Sequence, residues 1–409
     1  MKIVIGLDST DSPEGGCTTY TLAVLIKEVI ARKIGKITEW PRLVRLNPNI
    51  PFKTRGNGAV ALSLETQEKE LLWNTILEVI EETGRGNNFG LVMFSDIPEK
   101  AHTIYQNALH TIVPVDEAIE VARMGKWHAA GNKQGIVGAV AAAGAIFNDR
   151  TWELLCYRAP ANWKTPRKVD EKSVIEMDKK TRPVTFNNYD YQRKRMLITP
   201  HGPDPVLFGI RASSPTVLPE AFSMINIYEP IWGYIIFETN QGTDAHAFPK
   251  KIRECSRFDA ALLTGQVTSC AVIYRGGHVC FSISDSTGEA EVWVYEPTGQ
   301  LRKCALLLEE GDLVHVIGGV KDMKESKIIF NAEKIYFLGP EYEEQLRAVC
   351  SNCGSQRMKS KGKGIYYCKQ CSYKGIPKYI HTQIPRKIKV GWYYPDRSAF
   401  RHLTRPPER

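Results

Sequence analysis

Long hydrophobic runs are missing from this sequence of 409 residues. No apolar run approaches the ~20 residues that an α-helix needs to cross a bilayer, which argues against a membrane protein of the helical type. Ahead of Asp8 the N-terminus offers only Lys2 and five apolar or glycine residues, too few for a signal peptide. We therefore expect a cytoplasmic protein with no membrane partner.

Acidic residues are almost missing from the C-terminal end. Between Arg347 and Arg409 there are 15 Lys and Arg side chains and only two acids, Asp396 and Glu408. The preceding 346 residues carry 39 basic and 43 acidic side chains, so the overall net charge of +9 belongs to this end. A polyanion bound by the C-terminus explains such a distribution better than a generally basic protein does.

Six of the ten cysteines are scattered along the chain, as is usual for reduced cytosolic thiols. The other four form two Cys-x-x-Cys pairs, Cys350 with Cys353 and Cys368 with Cys371. Each pair places two thiolates on one side of a tight turn, and two such pairs can close a tetrahedron around Zn²⁺. Because no position is left open for another ligand, the spacing predicts a structural zinc ribbon rather than four unligated thiols.

No standard nucleotide-binding motif, such as Walker A, occurs in the sequence. The N-terminal stretch nevertheless follows an apolar run with Asp8, Asp11 and a glycine pair. We interpret it as a strand, a polar loop and a helix start, in which the two carboxylates hold Mg²⁺ against phosphates and backbone N–H groups approach an anion. The other candidates in the loop are Ser9, Ser12, Gly15, Gly16, Cys17, Thr18 and Thr19. An Asp/Ser-rich turn followed by a threonine helix cap fits the same pattern equally well.

Two later stretches also combine cations with flexible glycine backbone. Their candidate residues are Lys53, Arg55, Gly56 and Asn57 in the first stretch, and Gly131, Lys133 and Gly135 in the second. Each suits phosphate oxygens, and each equally suits a turn before a strand or a helix. Three such loops within 135 residues favour a phosphate site.

Hydrophobic periodicity divides the chain into blocks and predicts a multidomain α+β protein. Residues 1–120 alternate strand-like and helical runs like βαβ units and predict an α/β domain. Residues 121–255 predict an α+β domain, and the pattern leaves open whether the two interleave. Residues 256–345 hold five strand candidates with a helix between the third and fourth, the order of an OB-fold barrel. The zinc ribbon follows at 346–376, and 377–409 form a basic, aromatic tail.

Basic and aromatic residues interleave in the ribbon and the tail, which suits pairing with phosphates and stacking on bases. The candidate nucleic-acid contacts are Arg357, Lys359, Lys361, Lys363, Arg386, Lys387, Trp392, Arg397 and Arg401. A solvated basic tail is the simpler alternative. The OB-like block that precedes these residues favours nucleic acid.

Several acids lie in the irregular part of the second block, where a small cationic substrate would need carboxylates. They are Asp190, Asp204, Glu229 and Asp244. Loop acids are usually solvated, and we expect these to be solvated as well.

Taken in order, these motifs resemble those of the archaeal TiaS family, the tRNA(Ile)-agmatidine synthetases. The specific part of the likeness is the N-terminal motif, residues 6–12 with 15–19. The likeness continues over the whole chain through residues 46–49 and 53–58, Gly131 with Lys133 and Gly135, the OB-like block and the four cysteines.

The resemblance implies an ATP-dependent enzyme that acts on the wobble cytidine of an isoleucine tRNA with a CAU anticodon. It would phosphorylate the 2-carbonyl oxygen of the base, and the primary amine of agmatine would then displace phosphate to give agmatidine. Decoding would change from AUG to AUA, and the enzyme would count as a C–N ligase. The first domain would be kinase-like and catalytic, and the second ferredoxin-like.

The resemblance also implies roles for individual residues. Asp8 and Asp11 would hold Mg²⁺ on the ATP phosphates, and the glycine loops would cradle those phosphates. Thr18 would be a phosphate ligand or a covalent phosphoacceptor. The catalytic cations would be Lys53, Arg55 and Lys133.

Two other functions stay open at this point. One is a different ATP-dependent RNA kinase or ligase on the same scaffold. The other is an RNA-binding protein without enzymatic activity, built from the OB and zinc-ribbon blocks.

Overall fold

Helices and strands alternate through the first half of the chain, and strands dominate the second half. The computed structural model describes residues 1–12, 15–54, 56–84, 86–202, 205–324 and 327–409. The α-helices are α1 (Thr18–Ala31), α2 (Lys69–Thr83), α3 (Glu99–Ala108), α4 (Val115–Ala122), α5 (Gly135–Ala143), α6 (Glu171–Thr181), α7 (Leu218–Ser223) and α8 (Gln300–Ala305). Among the helices of these ranges, none has the length and apolar character that crossing a membrane requires.

The strands fall into two groups along the chain. The first group is β1 (Lys2–Asp8), β2 (Lys36–Ile37), β3 (Arg42–Arg45), β4 (Gly58–Glu65), β5 (Gly90–Phe94), β6 (Lys126–Ala129), β7 (Thr151–Arg158), β8 (Thr185–Phe186), β9 (Tyr189–Asp190), β10 (Arg195–Met196), β11 (Val206–Ala212) and β12 (Ile231–Thr239). The second group is β13 (Ala260–Ile273), β14 (Val279–Ser284), β15 (Glu289–Val294), β16 (Leu313–Lys324), β17 (Lys327–Gly339), β18 (Tyr342–Val349), β19 (Met358–Ser360), β20 (Tyr366–Cys368), β21 (Lys374–Gly375), β22 (Lys378–Pro385) and β23 (Gly391–Tyr393).

Strand β1 is the centre of the N-terminal sheet. It is buried from Ile3 onward and pairs antiparallel with β4 on one side and with β5 on the other. The strand order β5-β1-β4-β3 inserts an antiparallel strand into each strand–helix–strand unit, which is a split βαβ arrangement. The alternation of strands and helices expected from the sequence is present. The sequence left the strand order open, and in the structure another strand lies between each helix-connected parallel pair.

Helices cover both faces of this sheet. On one face α1 and α2 pack against side chains such as Ile5 and Leu62, and on the other face the fully buried α5 packs against β1, β4 and β5. The small residues of α5 allow very close contact, since a Cβ atom on Gly6 would lie 2.0 Å from the Ala139 carbonyl oxygen. Alternating side chains of β1 thus enter two different cores, Ile5 on one side and Val4 on the other.

The same sheet continues into the second block of the chain. Strand β3 pairs parallel with β12, which pairs antiparallel with β7, followed by β11 and β8. A third core, containing Leu154, Met177 and Phe208, forms where α6 and α7 pack on these strands. Residues on both sides of position 120 therefore share one hydrogen-bonded sheet, and the proposed boundary there stays a prediction.

Five strands after residue 259 close into a barrel, as the sequence predicts. The order is β15-β14-β13-β16-β17, and a parallel pairing of β15 with β17 closes it. Helix α8 lies between the third and fourth strands of the barrel. Because alternate residues such as Leu263, Phe281 and Val292 point inward, the barrel has its own apolar core.

The C-terminal residues are part of the fold. Strands β18 and β22 form a long hairpin that carries the cysteine-rich β19, β20 and β21 at its tip, and β23 joins the edge of the barrel at β17. Beyond β23, Leu403 and Thr404 are buried. The alternative of a purely solvated tail does not fit these residues, because ion pairs and apolar contacts attach them to the rest of the protein.

Arg386 is the basic residue that fastens β22 to the barrel. Its side chain is 3% exposed, and Nη2 donates to Asp312 Oδ2 at 2.9 Å while Nη1 contacts Oδ1. Asp312 is also buried. A guanidinium and a carboxylate buried together leave little room for a phosphate, so Arg386 does not face a polyanion.

We predict that Arg386→Ala destabilises the barrel and its hairpin by about 3 kcal/mol, because it leaves the Asp312 carboxylate buried without its cation. The adjacent Lys387→Ala, at an exposed position, should change stability by less than about 0.5 kcal/mol. Urea unfolding followed by far-UV circular dichroism measures both. Equal midpoints for the two variants would contradict the structural role of Arg386.

Candidate active site at the end of the first strand

The candidate loop begins where β1 ends, at Asp8. Ser9 adopts a φ of +58°, and its backbone N–H donates to Asp8 Oδ1 at 2.6 Å. The other carboxylate oxygen lies against helix α5, where a Cβ atom on Gly138 would be only 1.9 Å from Oδ2. Any side chain at position 138 would displace the Asp8 carboxylate, so the alanine- and glycine-rich helix is required for this site.

The electrostatics of Asp8 favour a bound cation. Burial, and after it the neighbouring Asp11 carboxylate, raise the pKa of Asp8 to about 7. Both carboxylates are about 8% exposed. Two acids at a strand end are a donor set that fits Mg²⁺, and a dication there would relieve the charge that raises the pKa of Asp8.

Thr18 begins helix α1 directly behind the two acids. Its buried hydroxyl donates toward Asp11 Oδ1 at 3.5 Å and accepts from the Thr10 backbone N–H at 3.3 Å. Cys17 precedes the helix in an extended conformation and makes no side-chain cap. The Cys17 side chain therefore does not occupy the first N–H groups of α1. A helix N-terminus of this kind is a common binding site for phosphate.

Gly15 and Gly16 shape the loop between the acids and α1. Their φ angles of +149° and +81° lie in the region that favours glycine. Reciprocal backbone hydrogen bonds between Ser12 and Gly15 close the turn. The backbone conformation of the loop thus requires the glycine pair.

A small cavity of about 50 Å³ adjoins Asp8 and Ser9. Lys53 and Asn57 from the second glycine loop also line it, together with Gln134 at the start of α5. Burial, and then Arg401, lower the pKa of Lys53. The structure therefore brings the first two candidate loops together around Asp8.

A large cavity of about 700 Å³ lies on the other side of the loop. Of the candidate residues, this cavity is lined by Asp11, Cys17, Thr18, Thr19, Gly56 and Arg397. Its opposite wall comes from β7, β11 and residues 195–202, and the C-terminal residues 397–402 complete it. The first sheet, the second block and the chain end thus meet at one cleft.

The third candidate loop, residues 131–135, contributes little to this site. Gly131 and Lys133 have φ angles of +56° and +60°, and Lys133 is exposed in the loop ahead of α5. Gly135 packs against the backbone of Asn88 and Gly90, so its role is close contact between helix and strand. Neither cavity is lined by Lys133. Arg55 lies outside the described residues.

Sequence reasoning missed the buried polar network on the far wall of the large cavity. Arg211 Nε donates to Glu153 Oε1 at 3.1 Å, and Arg45 Nη2 lies 3.9 Å from Glu153 Oε2. Arg211 also donates to Nδ1 of His402, whose pKa is held well below its usual range by burial and then by Arg45 and Arg211. The available signal was a charged residue, Glu153, inside a strongly apolar strand pattern.

The acids of the second block are engaged inside the protein, which corrects the expectation that they are solvated. Arg158 and Glu229 are an almost fully buried pair at 2.5 Å. Asp190 is buried and accepts backbone N–H groups, while Asp244 pairs with Lys334. Asp204 lies outside the described residues. None of the three described acids lines the large cavity.

The four clustered cysteines converge as predicted. Their sulfur atoms all lie within 4.8 Å of one another, with Cys350 to Cys371 at 3.5 Å and Cys353 to Cys368 at 3.6 Å. A tetrahedron with Zn–S bonds of ~2.3 Å places its sulfurs ~3.8 Å apart. The geometry therefore fits a four-thiolate zinc site.

The candidate nucleic-acid contacts separate into two groups. The first group is exposed. It consists of Lys387 and the four ribbon residues Arg357, Lys359, Lys361 and Lys363. The others have protein partners: Trp392 packs against Lys334 and Tyr336, and Arg397 contacts Glu408. Arg401 Nη1 donates to Asn49 Oδ1 and lies 3.0 Å from Glu333. An exposed cationic surface is therefore concentrated on the ribbon.

A carboxylate pair beside a helix N-terminus, a large cleft, a five-stranded barrel and a four-cysteine cluster together define a multidomain enzyme of the class that acts on nucleic acids. The family description "TiaS TCKD domain" matches residues 4–71, and "TiaS FLD domain" matches residues 133–246. The chain is 39% identical to TiaS of Thermococcus sibiricus, a 2-agmatinylcytidine synthetase for tRNA(Ile), over 99% of this chain and 96% of that protein. The corresponding protein of Pyrococcus horikoshii is 40% identical, over 99% and 97% of the two chains.

Solved structures give the same result. A complex of TiaS with its isoleucine tRNA and ATP matches with a TM-score of 0.85 and 34% identity, covering 99% of this chain and 97% of the other. A TiaS complex with the same tRNA, AMPCPP and agmatine matches at 0.83 and 32%, covering 99% and 96%. The chain belongs to the TiaS family, and the resemblance seen in the sequence is confirmed.

We predict that Asp8→Asn raises the melting temperature at pH 8 in EDTA and raises it by much less at pH 5. The carboxyl ionises near pH ~4 in the unfolded chain and near pH 7 in the folded protein, so stability falls as the pH rises between these values. At pH 8 the buried charge costs up to ~4 kcal/mol, which asparagine does not carry.

Mg²⁺ supplies the control for this experiment. If Asp8 is a metal ligand, millimolar Mg²⁺ should raise the melting temperature of the wild type at pH 8 and leave Asp8→Asn unchanged. A difference between variant and wild type that does not vary with pH would show that the Asp8 carboxyl is not buried in this way.

Proposed function

We propose that this chain is a cytoplasmic, ATP-dependent tRNA(Ile)-agmatidine synthetase. The observation that carries the proposal is the full-length likeness to relatives at 34–40% identity that bear this activity in their names. Homologous chains have been solved with their isoleucine tRNA, with ATP or AMPCPP, and with agmatine. The cleft between the Asp8 loop and the second block offers this chain a place for the same reactants.

The proposed reaction has two stages. The 2-carbonyl oxygen of the wobble cytidine takes a phosphoryl group from ATP, which turns an amide-like carbon into one with a leaving group. The primary amine of agmatine then attacks that carbon and phosphate departs. The overall reaction is a C–N ligation, and the cytidine has to leave its stack to reach the cleft.

The loop residues take their roles from their geometry. Asp8 and Asp11 would hold Mg²⁺, which would neutralise charge on the phosphates. The backbone N–H groups of Gly15, Gly16 and the first turn of α1 contact phosphate oxygens. Thr18, whose hydroxyl points toward Asp11, contacts the transferred phosphate or carries it.

The cations differ in how well the geometry supports them. Lys53 lines the same small cavity as Asp8 and is the best-placed cation for the developing charge. Lys133 would act only if its exposed loop closes over the bound nucleotide. Arg55 keeps its assignment from the family likeness alone.

The domain assignments follow the same proposal. Residues 1–120 form the kinase-like catalytic part, to which α5 adds Gly138, and residues 121–255 form the ferredoxin-like part. The barrel at 256–345 is the OB-fold, and the ribbon at 346–376 binds structural Zn²⁺. The exposed cations of the ribbon contact the tRNA body through its phosphates.

We predict that the purified protein, isoleucine tRNA with a CAU anticodon, ATP and agmatine yield agmatidine at the wobble position, detected by mass spectrometry of the tRNA nucleosides. Reactions with putrescine in place of agmatine, or without ATP, are the controls and should leave cytidine. Asp8→Asn should abolish product while the Kd for tRNA stays within about twofold, since it removes a metal ligand and no tRNA contact. Unmodified cytidine with the wild type would refute the synthetase, and a phosphorylated product alone would indicate a different RNA kinase.

We predict that replacing residues 350–377 by an Asn-Gly turn weakens tRNA binding and flattens its salt dependence. Val349 and Lys378 are paired at the end of the hairpin, so a two-residue turn can join them. The salt slope should fall by roughly 0.7–0.9 for every phosphate that the protein no longer neutralises. The matched variant Lys359→Ala, Lys361→Ala, Lys363→Ala keeps the cysteines and should reproduce most of the effect. Unchanged affinity in both would exclude the ribbon as a tRNA contact.

A further inference from the structure

A second large cavity, of about 530 Å³, lies outside the cleft and has no role in the proposed reaction. We call it the tail cavity. The hairpin β9–β10, helix α8 and the segment from β23 to Phe400 surround it. Its wall includes the side chains of Tyr191, Lys303, Trp392, Tyr394 and Phe400.

The wall of the tail cavity is unusually aromatic. The rings of Tyr394 and Phe400 are nearly parallel, with 16° between their planes and 6.2 Å between their centroids. Tyr191 is 41% exposed, and the Arg182 guanidinium lies 5.4 Å from its ring centroid. Aromatic faces of this kind stack with nucleobases of any sequence.

The charges of the tail cavity favour an anion. Asp396 accepts from Arg193 Nη2 at 3.0 Å and from the Gln300 backbone N–H at 3.1 Å, and Asp190 accepts the Ser398 N–H. Hydrogen bonds from the protein therefore satisfy both acids of the wall, Asp190 and Asp396. Lys303 is exposed, and no carboxylate of the described ranges lies within ion-pair distance of its ammonium.

The tail cavity shares a wall with the cleft. Arg397 and Phe400 line both cavities, so the segment 397–400 lies between them. A nucleic-acid strand that places one nucleotide in the cleft has its next nucleotide within reach of this segment, because consecutive stacked residues of one strand are only ~3.4 Å apart along the axis and more when extended. Flipping one base also unstacks its neighbour, which then needs a new surface.

We infer that the tail cavity binds the base of the nucleotide next to the modified cytidine. The base stacks against Tyr394 and Phe400, and Lys303 pairs with the phosphate beside it. The site would hold the anticodon strand open while the cytidine occupies the cleft. This inference rests on the proposed function, and it names a second contact for the same RNA substrate.

The test is a double-mutant cycle between Tyr394 and the RNA. Tyr394→Ala is assayed for agmatidine formation on intact tRNA and on tRNA with an abasic site immediately 5′ or 3′ of the wobble cytidine. Loss of one stacked base should raise KM for intact tRNA roughly tenfold. When the abasic site replaces the nucleotide that binds the tail cavity, KM of Tyr394→Ala should differ from KM of the wild type by less than twofold. KM for ATP should not move.

Controls separate stacking from folding. Tyr394→Trp should restore KM, and Tyr228→Ala, at an exposed tyrosine that lines none of the three cavities, should leave it unchanged. If Tyr394→Ala fails to fold, Lys303→Glu replaces it. Its effect should disappear on RNA with a neutral methylphosphonate beside the wobble position.

Two outcomes would overturn the inference. One is an effect of Tyr394→Ala that is equal on intact and abasic RNA. The other is a raised KM for ATP with KM for tRNA unchanged, which would make the tail cavity a site for the free nucleotide. Failure of the proposed function is distinguishable, because the wild type would then form no agmatidine on any RNA.

Discussion

The Asp8 carboxylate, held between the end of β1 and the backbone of α5 at Gly138, is the constraint on which the rest of the site depends. Burial, and after it the neighbouring Asp11 carboxylate, disfavour the charged form of Asp8 and raise its pKa to about 7. A dication bound beside the two carboxylates would offset that cost. Helix α5 therefore needs glycine at position 138. The other small residues of the helix let it pack tightly on β1.

Ion pairs and hydrogen bonds between distant parts of the chain assemble the cleft on the Asp11 side of the same loop. Arg409 reaches Asp149 and the Gly242 carbonyl oxygen, and the buried Glu333 of the barrel accepts from Thr404 at 3.0 Å. These contacts place His402 against Arg211 in the far wall of the cleft. The basic C-terminal end thus has two parts, since its ribbon cations are exposed while its last residues line the cleft.

Local chemistry explains what could be predicted and what could not. The barrel strands, helix α8 and the four cysteines were correctly predicted, because alternation and Cys-x-x-Cys spacing are short-range signals. The split strand order was not, because pairing β1 with β4 and β5 depends on contacts between segments far apart in sequence. Arg386 is a clear example: its neighbours in sequence indicate a phosphate contact, and its neighbour in space is Asp312.

The sequence by itself determined the family, the loop of Asp8, Asp11 and Thr18, and the cluster of four cysteines, since each is recognised from residue types at short spacing. Only the tertiary structure decided which of the three glycine loops meet at Asp8, which cations are exposed and which are paired, and that the chain end lines the cleft. The physical reason is that burial and electrostatic partners are properties of spatial neighbours. Glu153, for example, contacts Arg45 and Arg211 only because β3, β7 and β11 lie in one sheet.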